Sequence, residues 1–174
     1  GYERIKFKNK TAILMDAPPP AEDVRPFIKI TKHLASLGYS VPRIMCQDID
    51  AGFLLLEDLG DKTYSNALTA GVDEKRLYQS AVDVLIDLHS LEASEAVPIE
   101  IESYDNEKLL AEANFFVDWY MAGILGNTVS KDARNDFQDI WYKLLLSIKI
   151  KIKTLVLRDF HADNLIWLPN RPGI

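Results

Sequence analysis

Leu157-Arg158-Asp159-Phe160-His161-Ala162-Asp163-Asn164, followed by Leu165-Ile166-Trp167-Leu168-Pro169, sets an Asp and an Asn five residues apart in a polar loop between two apolar runs. Leu155-Val156-Leu157 leads in and Leu165 to Leu168 leads out, and both read as strand-like. The oxygen donors and one imidazole, His161, are thereby confined to the connection between them. That confinement is what a loop carrying chemistry needs, and the rest of the chain is read outward from it.

Upstream, Arg4 to Lys8 and Thr11 to Met15 alternate with period two across Asn9-Lys10, which predicts a β-hairpin. Pro18-Pro19-Pro20 bars helix and ladder alike, and Glu22 and Asp23 sit where a helix accepts acids near its start. Val24, Phe27, Ile28, Leu34 and Leu37 share one helical stripe ending at Gly38, so a first helix is expected over about residues 22–37. Residues 43–49 and Phe53 to Glu57, joined by Asp50-Ala51-Gly52, predict a second hairpin whose return strand is apolar enough for burial on both faces. Asp58-Leu59-Gly60 reads as a linker.

Beyond it the pattern turns helical. One helix is expected over about 73–90 with Leu77, Ala81, Val84, Leu85 and Leu88 on its face, and a second from a cap at Asn106 through Trp119 and Tyr120 to Gly123 or Gly126. A third covers about 131–147, with Phe137, Ile140, Trp141, Leu144 and Leu145 facing inward. The Ile-Lys alternation over 148–153 fits neither helix nor strand cleanly. The change from strands to helices divides the chain into 1–58, a small β-rich lobe, and 59–174, a mainly helical lobe, an α+β architecture.

The 174 residues allow one domain or two small lobes, and 48% hydrophobic with 26% charged residues is the balance of an ordinary globular protein. A net charge of −6 gives no general attraction for nucleic acid or an anionic membrane. One cysteine, Cys46, excludes an intrachain disulfide and is expected as an inert core side chain in an alternating strand. Without a long apolar run or a leader pattern at Gly1-Tyr2-Glu3-Arg4, a cytoplasmic location is expected. Both ends read as abrupt, as in a piece of a longer protein.

A carboxylate facing a hydroxyl and an amide oxygen facing a metal meet part of what phosphoryl transfer from ATP requires, since that reaction is accelerated mainly by positioning and charge neutralisation. Asp159 and Asn164 have the spacing for those two roles. A loop whose Asp and Asn satisfy local backbone groups fits the spacing equally well. One His with two carboxylates matches closed zinc sites poorly.

The run from Leu157 to Ile166 resembles the catalytic loop of the aminoglycoside phosphotransferase and choline kinase superfamily, whose two-lobed fold is like that of protein kinases. Leu54-Leu55-Leu56-Glu57-Asp58-Leu59 is similar to its strand and interlobe hinge, and Leu85-Ile86-Asp87-Leu88-His89 to its helix ending in Leu-His. Within the superfamily, Met15 to Pro20, Arg25-Pro26-Phe27 and Asp118-Trp119-Tyr120 resemble bacterial kinases of the anomeric hydroxyl of N-acetylmuramate and N-acetylglucosamine, which serve cell-wall recycling. The resemblance implies ATP and Mg2+ as cofactors, Asp159 as catalytic base and Asn164 as magnesium ligand. It implies that backbone groups near Glu57 and Leu59 meet the adenine between apolar walls at Leu14 and Leu56. Asp118, Trp119 and Tyr120 become candidates for a small-molecule sugar, whose ring stacks on aromatic faces; as a bare pattern they read sooner as core and helix surface. His89 reads as a structural helix-end residue. Aminoglycoside, choline-like or amino-alcohol acceptors are the alternative substrates, and a non-catalytic binding module the alternative role.

Three departures stand out. Leu157 occupies the place where the family motif carries His, which removes a hydrogen bond expected to support the loop. Met15 lies near the strand position where protein kinases carry the Lys that grips ATP. The Gly-rich phosphate loop and the second metal-binding Asp are not found in the sequence, and are expected before Gly1 and after Ile174.

Overall fold

The computed structural model describes residues 1–126, 129–148 and 153–171, without the Leu125 side chain. Four strands, β1 (Tyr2–Phe7), β2 (Lys10–Asp16), β3 (Ile44–Asp48) and β4 (Phe53–Glu57), form an antiparallel sheet in the order β1-β2-β4-β3. Both expected hairpins are therefore present, and β2 pairs with β4 at the centre. Cross-strand partners share a face, so the pairs Ile13↔Leu56 and Met15↔Leu54 put all four side chains on one side. That side meets helix α1 (Arg25–Ser36), forming a core of Met15, Ala17, Val24, Ile28, Leu54 and Leu56. Met15 is thus a core side chain.

The helix starts three residues later than the acids suggest. Pro26 lies in its first turn and the Asp23 side chain accepts from the Arg25 backbone N–H at 2.9 Å. Gly52 turns β3 into β4 at φ +78°, and its bare Cα is required twice: a Cβ there would lie 2.2 Å from the Ala17 carbonyl oxygen.

Two features of the sheet differ from the sequence reading. In β4 only Leu54 and Leu56 are buried; Leu55 is half-buried and Phe53 exposed, because among the described residues the face of Leu54 and Leu56 is the one packed on α1. Cys46 is exposed, not core. Ile44 pairs with Leu56 but Cys46 pairs with Leu55, so one extra residue, Met45, is accommodated as a bulge. In an unbroken register Cys46 would oppose Leu54 on the core face; the bulge moves it to the other face.

Short and long helices follow: α2 (Tyr64–Thr69), α3 (Glu74–Ser90), α4 (Ala93–Ala96) and α5 (Asn106–Phe115). A π-helical turn, Phe116–Met121, continues α5 into α6 (Ala122–Leu125), which stops at Gly126 in the left-handed conformation, φ +65°. The last helix is α7 (Lys131–Ser147). The caps are side chains: Thr63 for α2, Asp73 for α3, Ser130 for α7, and Asp105, one residue before the expected Asn106, for α5. On α3, Leu77, Ala81 and Leu88 are buried as their spacing requires. On α7 only Leu145 is fully buried, and Phe137 and Trp141 are half-buried. Ile140 and Leu144 lie one position off that stripe and are exposed.

The chain divides into two compact units, Gly1–Ile99 with Leu157–Ile174, and Glu100–Val156. The boundary expected at 58/59 falls inside the first unit, where residues of the sheet, α1, α2, α3 and the Asp159 loop are gathered. Leu155 to Leu157 form no strand, and Leu165 to Leu168 contribute only one bridge, Ile166 to Thr63. The chain beside them turns into α2 straight after Thr63, so no ladder can extend. Residues 149–152 of the Ile-Lys alternation lie outside the described residues. Among the described residues no helix is long and apolar enough to cross a membrane.

Candidate active site

The Asp159 loop is fastened from below by residues 62–65. Trp167 N–H donates to the Lys62 carbonyl at 2.7 Å, Tyr64 N–H to the Leu165 carbonyl at 2.8 Å and Ser65 N–H to the Ala162 carbonyl at 3.3 Å. The Ser65 hydroxyl donates to Asp163 Oδ1 at 2.5 Å. Apolar burial reinforces the clamp: Leu165 joins Tyr64, Ala67, Leu77 and Ala81 in a core, with Phe160, Ala162 and Trp167 packed at its edge. Trp167 meets Tyr64 edge to face and lies under the Arg76 guanidinium, 5.1 Å from its ring centre. Tyr64 is fully buried, and among the described residues its hydroxyl has no partner; burial pushes its pKa up to about 12. The helix that makes this clamp is only six residues long, too short to show a period, and the sequence reading missed it.

Leu157, in place of the expected His, is half-buried and lines the cavity described below. The support expected from a His at 157 comes instead from the clamp and from within the loop. Arg158 turns the chain at φ 51°, a left-handed conformation that costs about 1–3 kcal/mol in a non-glycine residue. The Asp159 carbonyl then accepts from His161 N–H at 3.1 Å and from Asn164 Nδ2 at 3.0 Å, while the His161 carbonyl accepts from the Asn164 and Leu165 N–H groups at 2.9 and 3.1 Å. Asp159 and Asn164 are both exposed, and among the described residues nothing donates to the Asp159 carboxylate.

Both residues line a cavity of about 670 Å³, a size that suits a small molecule. Its walls come from the hinge stretch Leu56 to Gly60, from Ile13 on β2, from Phe27, Ile30 and Leu34 on α1, and from Val84 and Leu88 on α3. Tyr39, another wall, donates to Asp87 Oδ2 at 2.6 Å; burial first, and this hydrogen bond second, push its pKa up to about 12. Of the expected apolar walls, Leu56 lines the cavity and Leu14 does not. Leu14 pairs with Leu55 on the opposite face, so the alternation of β2 makes Ile13 the wall. Glu57 and Leu59 both line the cavity, but the Glu57 N–H is already donated to the Arg43 carbonyl at 2.8 Å.

The hinge is held by charge. Arg4 on β1 reaches Asp58 at 2.8 Å and Asp61 at 2.6 Å, and the Asp58 side chain is 8% exposed. Hydrogen bonds from Thr11, Arg4 and the Gly60 N–H hold the Asp58 carboxyl below its ordinary pKa. Glu57 carries a second tie, to Arg171 at 3.0 Å.

In the second unit, Asp118, Trp119 and Tyr120 lie on the π-helical turn. The rings of Trp119 and Tyr120 are exposed, Tyr120 stacks on Phe116 at 5.3 Å, and Asp118 is paired through both carboxylate oxygens with Arg134.

Among the described residues no group of three or more His, Cys, Asp or Glu side chains is placed to hold a metal. The Asn164 carboxamide oxygen nevertheless suits Mg2+, which takes one or two protein oxygens, keeps several waters and is completed by substrate phosphates.

Residues 2–174 match the model of the phosphotransferase enzyme family. The chain is 36% identical over 173 residues to an N-acetylmuramate/N-acetylglucosamine kinase of Pseudomonas aeruginosa and 35% identical over 173 residues to that of Pseudomonas putida, covering 99% of this chain and 50% of each relative. A kinase of the same name from Neisseria meningitidis is 32% identical over 177 residues, covering 99% of this chain and 51% of the relative. The chain thus spans about half the length of the curated relatives it matches. With an α+β architecture and a family match across nearly its whole length, the chain belongs to the phosphotransferase enzyme family.

Proposed function

We propose that the protein is an ATP- and Mg2+-dependent kinase of a sugar hydroxyl, the anomeric hydroxyl of N-acetylmuramate or N-acetylglucosamine, acting in cell-wall recycling in the cytoplasm. The observation that carries this reading is the single cavity lined by both the hinge, Leu56 to Gly60, and the loop residues Asp159 and Asn164. The names of the relatives support the sugar. In this reading residues 1–58 form the nucleotide-binding lobe and 59–174 belong to the catalytic lobe.

Each residue has a role set by its chemistry. Asp159, a carboxylate with no donor among the described residues, accepts the proton of the sugar hydroxyl and aligns its oxygen for attack. The Asn164 side chain turns its nitrogen to the Asp159 carbonyl, so its oxygen is the atom left for Mg2+. Held there, Mg2+ would supply neutralisation of the phosphate charge. Leu59 backbone groups and the Glu57 carbonyl meet the adenine edge, with Leu56 and Ile13 as apolar walls. Trp119 and Tyr120, exposed rings of the second unit, are proposed as stacking faces for a sugar on their chemistry alone. Asp118, already neutralised by Arg134, is poorly suited to a cationic aminoglycoside or choline-like acceptor, which favours an uncharged or anionic one.

The full-length protein should be offered MgATP with N-acetylmuramate, N-acetylglucosamine, an aminoglycoside and choline, and ADP release followed. ADP is expected only with the N-acetylated sugars. Turnover with the cations alone would replace the substrate, and nucleotide binding without turnover on any acceptor would favour a non-catalytic module.

A further inference from the structure

Asn164 serves as a metal ligand only if its carboxamide presents oxygen to the cavity, and a carboxamide rotates by half a turn at little intrinsic cost. The orientation must therefore be imposed by neighbours. Two are in contact with Nδ2: the Asp159 carbonyl oxygen at 3.0 Å and His161 Nε2 at 3.2 Å. The carbonyl is an acceptor without choice. The imidazole nitrogen acts as a second acceptor only in the tautomer that carries its proton on Nδ1.

Two neighbours of Nδ1 bear on that tautomer in opposite senses. Asp163 Oδ2 lies 3.9 Å from Nδ1, where a proton on Nδ1 is attracted to the carboxylate. The opposing contact, Asp163 N–H to Nδ1 at 3.4 Å, is nearer than that carboxylate and fits only the other tautomer; the shorter Asn164 contact to Nε2, at 3.2 Å, weighs against it. Asp163 is itself fixed by Ser65 at 2.5 Å. Ser65, Asp163, His161 and Asn164 thus form a relay of orientation leading from α2 to the amide.

Resting on the proposed role of Asn164, we infer that His161 is a positioning residue: its Nε2 accepts the second N–H of the Asn164 carboxamide and so keeps Oδ1 turned toward the cation. No proton moves through it. This is the support within the loop that remains where Leu157 replaces the family His.

The test reads metal affinity, without turnover, by electron paramagnetic resonance of Mn2+ added to the full-length protein with ATP. His161→Leu removes the acceptor and should raise the Mn2+ Kd about tenfold, the lower end of the effect of a residue supporting a metal ligand. His161→Gln, which carries an amide oxygen to the reach of Nε2, should stay within about threefold of the parent, while His161→Asn, whose amide reaches only as far as Nδ1, should behave like the Leu variant. In an Asn164→Asp background the two ligand oxygens are equivalent and orientation no longer matters, so His161→Leu should change Kd less than about twofold there. An unchanged Kd in His161→Leu, equal values for the Gln and Asn variants, or equal losses in both backgrounds would each overturn the inference. If His161→Leu fails to fold, the Gln–Asn pair decides alone. Asn164→Ala separates the two levels: an unchanged Kd sinks the metal role itself, whereas a weakened one with His161→Leu unchanged sinks only the positioning.

Discussion

Asp58 and Asp159 are both carboxylates at the wall of one cavity, yet their surroundings are opposite. Asp58 is nearly buried and receives hydrogen bonds from Thr11, Arg4 and Gly60, drawn from β1, β2 and the hinge itself. Asp159 is exposed, and its loop spends every contact on the backbone carbonyl rather than on the carboxylate. A carboxylate that holds a fold together is saturated with donors; one that is to meet a substrate hydroxyl is positioned through its main chain and left open. The two should therefore fail differently when removed.

The largest effect is expected at Asp159. Replacing it with Asn should lower kcat by about a thousandfold, within the usual range for loss of a general base, and leave the urea midpoint unchanged. A variant that unfolds, or one that turns over normally, breaks the contrast. Asp58→Asn should do the reverse, lowering stability by about 2 kcal/mol, the scale of hydrogen bonds to a charged group, with a much smaller change in turnover. Its pH dependence sharpens the point. A carboxyl held below its ordinary value of 3.8 adds stability above that value and loses it as pH falls through the folded-state pKa. Urea midpoints of the parent and of Asp58→Asn should thus converge below about pH 4, and a constant gap would sink the assignment.

Ser65→Ala, which frees Asp163, should cost about 1 kcal/mol and reduce kcat a fewfold by loosening the loop, as judged by urea melts beside steady-state kinetics. Tyr64→Phe removes a buried hydroxyl that lacks a partner among the described residues, and a thermal melt should show it neutral or stabilised by about 1 kcal/mol. Cys46→Ser should be the quietest, within about 0.5 kcal/mol, because the bulge keeps the side chain outside the core. A larger loss would put Cys46 back inside.

The two hairpins were legible because their strand-like runs meet across short turns, but the pairing of β2 with β4 was not, since Phe53 to Leu56 is apolar throughout and marks no face. Helices α3 and α7 were legible by length. The extra residue at Met45 was not, since a bulge is defined only by the partner strand. Leu14 was taken for a cavity wall and Ile13 was not; choosing between neighbours on a strand needs the face that α1 covers. For the loop, composition and spacing singled out Asp159 and Asn164. The clamp by Lys62 to Ser65 escaped notice because its hydrogen bonds use the backbone, which any sequence supplies.

That clamp also orders events during synthesis. Ser65 and Asp163 are 98 residues apart, and the cluster around Tyr64 and Leu77 is incomplete until Leu165 arrives. At about 5–20 residues per second a ribosome needs roughly 5–20 s to cover that distance. The core of Met15, Val24, Ile28, Leu54 and Leu56 lies within residues 15–56, and none of these members waits for the Asp159 loop. In the nascent chain the residues of α2 and α3 that Leu165 covers are therefore expected to stay exposed longer than the core on α1, and a holdase would find its target on those two helices.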